Sequence, residues 1–300
     1  MFTGCGTALI TPFKKDFSLD EATLRALVRR QVDAGIDFMS PCGTTGESPT
    51  LSRREHLRVV EIAVEEAAGR VPVLAGAGGY NTAEVIELAC EVERVGANGV
   101  LSVAPYYNKP SQEGLYQHYK AIASAVKIPV VLYNVPGRTG CNIEPATVAR
   151  LAEIGNIVAV KEASGNIGQM GAILRIVPER FHVISGDDAI TLPLIALGGH
   201  GLVSVASNEI PAEMVRLVHA ALDNDFATAR AMQRKYLPLL DINFVESNPI
   251  PVKAAMALMG LAEPVWRLPL VAPQAGNLAR IEKILQDFNL TAGRGAHVAS

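Results

Sequence analysis

The chain has little of several things, and each shortage removes a class of function. Its 300 residues carry four cysteines, one tryptophan and 5% aromatic residues, with a net charge of only −3. Cys5, Cys42, Cys90 and Cys141 lie far apart with no C-x-x-C pair, which speaks against a zinc site and a disulfide framework and for reduced thiols. The six histidines are scattered, with neither H-E-x-x-H nor another i, i+4 pair, so no catalytic metal is expected. Charges of both signs are interspersed, without a Lys/Arg cluster or aromatic-basic alternation, so nucleic acid is not expected as a partner. No apolar run approaches the ~18 residues that span a bilayer, and the start, MFTGCGTALITPF, lacks the basic-then-apolar pattern of a secretory leader. The expectation is a cytoplasmic protein without a membrane segment. Nucleotide motifs fail as well. The glycines of AGAGGYN (75–81) do not complete G-x-G-x-x-G, and neither G-x-x-x-x-G-K-[ST] nor G-x-S-x-G occurs. No cofactor is expected.

What is present is a large apolar fraction, 49%, enough for a sizeable core. Short β-branched runs alternate with helical patterns at intervals of about 25–30 residues, the spacing of successive βα units on a parallel sheet. Strands are expected at 4–10, 38–41, 71–75, 99–103, 129–133, 157–161, 181–185 and 201–205. The intervening helices include 20–34, with Leu24, Leu27, Val28 and Val32 on one face, and one opening at Ser52 with Glu55 as a capping box. Asn81 and Glu84 open the next helix in the same manner, and others run over 113–126, 144–153 and from 189 and 211. Eight such units in about 224 residues suit a closed (β/α)8 TIM barrel better than an open sheet. From 225 the pattern turns to helices alone, at 225–240, 251–259 and 274–288, giving a catalytic barrel over 1–224 and a C-terminal helical bundle over 225–300. The tail, 291–300, has little apolar content and is expected to fray.

Lys161 follows the buried run of the sixth strand in NIVAVKEASG (156–165). Apolar surroundings disfavour an ammonium group, and a neutral amine is a nucleophile for a carbonyl carbon. By itself the residue reads equally as a Schiff-base lysine or as half of an ion pair with Glu162, although consecutive strand residues face opposite ways. Other candidates collect at the same strand ends, where barrel enzymes place their chemistry. Thr44 and Thr45 follow strand two in a glycine-rich turn able to approach a carboxylate; Tyr106 and Tyr107 follow strand four; Tyr133 ends strand five; Arg138 comes after it. Each alone also reads as a turn, a core or interface tyrosine, or a surface charge.

Taken together, GTALITPF, GTTGES, PYYNKPSQEGLYQHY, LYNVPGRTG, KEASG, SGDD and NPIPVK resemble the dihydrodipicolinate synthase family, pyruvate-dependent class I aldolases akin to N-acetylneuraminate lyase. The resemblance runs to about Leu270. It implies that Lys161 forms a Schiff base with pyruvate, with Tyr133 as proton donor and acceptor, linked through the Thr44 hydroxyl to Tyr107. It implies further that Thr45 holds the pyruvate carboxylate, that the Gly186 carbonyl and the Val203 backbone shape the pocket, and that Arg138 clamps the carboxylate of L-aspartate 4-semialdehyde. The product would be 4-hydroxy-tetrahydrodipicolinate, on the route to lysine and diaminopimelate, and the assembly a homotetramer built as a dimer of dimers. A lyase of a 2-keto-3-deoxy sugar acid is the runner-up, set apart by Arg138; a non-catalytic keto-acid-binding barrel is the alternative of another class. Lysine-sensitive relatives use positions matching Ser48, His56, Glu84 and Tyr106. Tyr80 and Arg53 depart from their pattern, so weak or absent feedback is expected.

Overall fold

The computed structural model describes residues 2–292. Eight strands, β1 (Gly4–Ala8), β2 (Phe38–Ser40), β3 (Leu74–Gly76), β4 (Gly99–Val103), β5 (Val130–Asn134), β6 (Ile157–Glu162), β7 (His182–Ser185) and β8 (Gly201–Ser204), form one parallel sheet in the order β2-β1-β8-β7-β6-β5-β4-β3. A parallel bridge between Met39 and Val73 joins its two ends, so the sheet closes into a (β/α)8 TIM barrel. The helices are α1 (Glu21–Asp33), α2 (Arg53–Ala67), α3 (Thr82–Arg94), α4 (Gln112–Ala125), α5 (Pro136–Thr139), α6 (Pro145–Ala152), α7 (Ile167–Ile176), α8 (Thr191–Ala196) and α9 (Pro211–Leu222). Beyond the barrel come α10 (Phe226–Ile242), α11 (Ile250–Leu258) and α12 (Ala275–Asp287). The tail from 293 onward lies outside the described residues.

The capping box at Ser52 and Glu55 is formed, with the Ser52 hydroxyl accepting from the Glu55 amide and the Glu55 carboxylate from the Ser52 amide. Asn81 caps α3, but Glu84 accepts from the Asn81 side chain rather than from its backbone. Within NVPGRTG, Pro136 starts the single helical turn α5, and β6 runs one residue past Lys161, to Glu162.

Alternation along the strands divides the core in two. Phe2, Ala8, Phe38, Leu74, Leu101, Val131, Tyr133, Ala159, Ile184 and Val203 fill the barrel, while Ile157, Val160 and most other apolar residues pack between strands and helices. Counting by twos from outward-facing Ile157 would turn Lys161 outward. A register shift prevents this: Val130 pairs with Ile157 and Val131 with Ala159, leaving Val158 as the extra residue of a β-bulge. One inserted residue reverses the phase of all that follow, so Ala159 and Lys161 face the interior.

Candidate active site

Tyr133 and Lys161 are register partners on neighbouring strands. Because β5 and β6 are in phase after the bulge, both side chains enter the barrel near its C-terminal mouth, each 6% exposed. Lys161 Nζ stands 4.3 Å from the centre of the Tyr133 ring. Glu162 takes no part in this. It faces the helical shell, fully buried, and accepts hydrogen bonds from Asn134 Nδ2 (2.9 Å), Gln169 Nε2 (3.1 Å) and the Ser164 amide (2.8 Å). The ion pair that competed with a catalytic reading of Lys161 is therefore not formed. On the other flank, Gly186 leaves room for the lysine: a Cβ there would lie 2.9 Å from Lys161 Cε and 2.7 Å from Ala163 Cβ. Val203, on β8, is part of the barrel filling.

A cavity of about 410 Å³ opens at this end of the barrel, with Thr44, Ser48, His56, Tyr106, Tyr133 and Arg138 among its walls. Thr44 is half-buried in its wall. Thr45 is buried behind it, its Oγ1 accepting a 2.9 Å hydrogen bond from Asn248 Nδ2. Arg138 sits on α5 and is exposed at the rim, where its Nη2 donates to the Asn248 carbonyl (3.1 Å). Tyr107 is not brought to the cavity wall by its own chain. It is 88% exposed and holds a left-handed backbone (φ 69°), beside a second, shallower depression shared with Tyr106 and Arg138.

The four residues matched to a regulatory site, and the departing Tyr80, are divided. Ser48, His56 and Tyr106 share the cavity; Tyr80 packs edge-on against Tyr106 (centroids 5.1 Å apart); Glu84 is exposed and bonded to Asn81. Burial holds His56 well below the ordinary histidine range, to about 4, so it is neutral near pH 7, with Nε2–H donating to the Gly76 carbonyl at 2.8 Å. Arg53 forms an ion pair with Glu91. Burial also raises the Tyr106 hydroxyl above its ordinary range, with nearby Tyr80 and Glu84 adding to it.

The profile of the Dihydrodipicolinate synthetase family matches residues 1–288. The chain belongs to that family. The 4-hydroxy-tetrahydrodipicolinate synthase of Koribacter versatilis is 58% identical over 94% of each chain. The crystal structure of dihydrodipicolinate synthase from Aquifex aeolicus superposes with a TM-score of 0.96 at 45% identity, covering 98% of this chain and 100% of that one. The chloride-inhibited dihydrodipicolinate synthase from Acinetobacter baumannii complexed with pyruvate gives a TM-score of 0.95 at 41% identity, covering 97% and 100%.

Sequence reasoning passed over the residues with which the region after the barrel reaches this family's GTTGES loop. Asn248 bonds Thr45, and Lys253 is wholly buried in an ion pair with Glu47. Arg267 bonds the Thr50 carbonyl and the Glu55 carboxylate, which that pairing holds at about 2. Lys253 Nζ and the Arg267 guanidinium lie 4.4 and 4.2 Å from the Phe13 ring centre. NPIPVK carried a signal, since a lysine in an apolar stretch needs a buried partner, but nothing local names Glu47 as that partner.

Proposed function

We propose that this chain condenses pyruvate with L-aspartate 4-semialdehyde to 4-hydroxy-tetrahydrodipicolinate, through a Schiff base on Lys161, the committed step toward lysine and diaminopimelate. The observation that carries this reading is the inward-facing Lys161 amine against the Tyr133 ring, free of Glu162. In this reading the Lys161 amine adds to the keto carbon of pyruvate and water leaves, giving a protonated imine. That imine is an electron sink, so the methyl group loses a proton and becomes an enamine. The enamine carbon attacks the aldehyde. The amino group of the second substrate then attacks the imine carbon, closes the ring and frees Lys161.

Protons must be delivered and removed at each stage, and a hydroxyl suits this because it donates and accepts at once. Tyr133 is the group beside Lys161, and Thr44 in the cavity wall is the next link. Thr45 binds the pyruvate carboxylate, with Gly186 and Val203 shaping the pocket around Lys161. Arg138 at the rim clamps the carboxylate of the aldehyde with its planar fork.

Arg138 also separates this substrate from sugar-derived aldehydes. Arg138→Ala is expected to spare imine formation but to lower kcat/KM for aspartate semialdehyde at least about 10-fold, the worth of a charge-assisted hydrogen bond of about 1.5–3 kcal/mol. The check couples the reaction to the next reductase and compares aspartate semialdehyde with sugar-derived acceptors. Undiminished turnover of the semialdehyde by the variant, or preference of the wild type for a sugar-derived acceptor, contradicts the substrate assignment.

Assembly is part of the same reading: a homotetramer, as a dimer of dimers, in which Tyr107 completes the Thr44 relay of a neighbouring copy. Its support is Tyr107 itself, a left-handed tyrosine 88% exposed, since such a backbone costs about 1–3 kcal/mol and its own chain provides no compensating burial. Tyr80 and Tyr106 add adjacent aromatic surface of the kind enriched at interfaces. Mixing Tyr107→Phe with Lys161→Ala under subunit exchange should restore measurable activity from two inactive proteins. Absence of complementation after exchange, confirmed by native mass spectrometry, means that each subunit uses its own tyrosine. The domain division at 224/225 and a cytoplasmic location belong to this reading too, the latter supported by four free thiols.

A further inference from the structure

Asn248 lies outside the barrel, just before α11, yet it touches both residues to which carboxylate binding has been given. Its Nδ2 donates to Thr45 Oγ1 at 2.9 Å, and its own carbonyl accepts from Arg138 Nη2 at 3.1 Å. It is 6% exposed, and its Oδ1 is buried without a protein partner among the described residues. The polarity of the first bond matters. A hydroxyl has one proton to give, and a threonine whose oxygen already accepts from an amide keeps that proton for another acceptor. Among the described residues the Thr45 hydroxyl donates to no protein group. Its oxygen is held in place while its proton is left for a ligand.

We propose that Asn248 is a positioning residue of the active site, which presents the Thr45 hydroxyl as a donor to the pyruvate carboxylate and anchors Arg138 at the rim. One residue from the C-terminal helical region thereby sets both carboxylate-binding groups relative to Lys161. The surrounding contacts make this region a clasp on the loop rather than a loose attachment. Lys253 with Glu47, and Arg267 with Thr50 and Glu55, hold the chain just beyond Thr45, from the same loop into the start of α2. Asn248 acts on substrate only through Thr45 and Arg138, so its removal should act on binding rather than on the chemical step.

The inference rests on the Schiff-base reading, and the experiment separates the two. Steady-state kinetics on the full-length protein compare wild type, Asn248→Ala, Asn248→Asp, Thr45→Val and the double variant Thr45→Val/Asn248→Ala. Loss of one neutral hydrogen bond weakens binding about 2- to 12-fold, so Asn248→Ala should raise KM for pyruvate by about that factor. Its kcat should stay within about 2-fold, and KM for the aldehyde should move less than KM for pyruvate, because the backbone carbonyl is retained. Asn248→Asp is nearly isosteric and keeps a bond to Thr45, but a carboxylate only accepts, so it takes up the threonine proton. It should therefore be worse than alanine in KM for pyruvate, whereas a purely packing role makes aspartate the milder change.

In the Thr45→Val background, Asn248→Ala should add less than about 2-fold, because residues acting through one bond are not additive. A pyruvate KM in Asn248→Asp no higher than in Asn248→Ala, or single effects that multiply in the double variant, overturns the role given to Asn248. Borohydride trapping at saturating pyruvate accompanies each measurement. An adduct on Lys161 in every variant with unchanged KM values rejects Asn248 alone; no adduct in the wild type rejects the Schiff-base reading and this inference with it.

Discussion

Replacing Lys161 with alanine is expected to abolish turnover while leaving the barrel folded. None of the groups lining the cavity is an amine that could replace Lys161: Thr44, Ser48, Tyr133 and Tyr106 offer hydroxyls, Cys42 a thiol that burial keeps protonated, Arg53 and Arg138 guanidinium groups, and His56 donates its Nε2–H to Gly76. Without an amine there is no imine, and without the imine the methyl carbon of pyruvate has no electron sink. The fold should survive, because the strand is fixed by its register with β5 and β7 and by the outward-facing Glu162 network. Truncation leaves a void beside Tyr133, a change of the kind that costs about 0.5–3 kcal/mol. A coupled assay alongside a thermal melt checks both halves. Residual activity within about 10-fold of the wild type would contradict the covalent role, since a covalent path is worth far more than one factor of ten.

The second large effect is expected from Tyr133→Phe. The ring remains, so its packing against Lys161 and the barrel filling is preserved and the melting temperature should hardly move. What disappears is the hydroxyl, the nearest group able to pass protons to and from the Schiff-base intermediates. General acid–base catalysis typically contributes about 10²- to 10⁴-fold, so kcat should fall within that range. This corresponds to about 2.7–5.4 kcal/mol of barrier. Pyruvate should still be trapped on Lys161, only more slowly, which distinguishes lost proton transfer from lost binding. A decrease below about 10-fold places the proton path elsewhere.

The barrel was legible in the sequence because its signal is local and repeated. Each strand is a short apolar run before a helical pattern, and β4 runs over Gly99–Val103 in both sequence and structure. Capping at Ser52 was equally legible, being written in four consecutive residues. The single turn α5 was not, as four residues of Pro-Gly-Arg-Thr carry no period from which to read a helix. The bulge at Val158 was also hidden. A uniform apolar run looks the same with or without an inserted residue, although that residue decides which way Lys161 faces.

Site residues divide along the same line. Lys161, Tyr133, Thr44 and Arg138 were readable as a group because strand ends converge in a barrel whatever the loops do. Asn248, Lys253 and Arg267 were not, because their partners Thr45, Glu47 and Glu55 lie more than 200 residues away in sequence. Side-chain pairing over that distance leaves no periodicity. Only the oddity of a lysine within NPIPVK hints at it. The pairing of Arg53 was hidden for the same reason, since its partner Glu91 is on the next helix.

The covalent intermediate on Lys161 is the claim on which the rest depends, and one measurement addresses it directly. The wild-type protein is incubated with pyruvate, reduced with borohydride, digested and analysed by mass spectrometry. The account predicts one reduced pyruvyl group per chain, located on Lys161 and absent from Lys161→Ala. Labelling at another lysine, or none in the wild type, would contradict it.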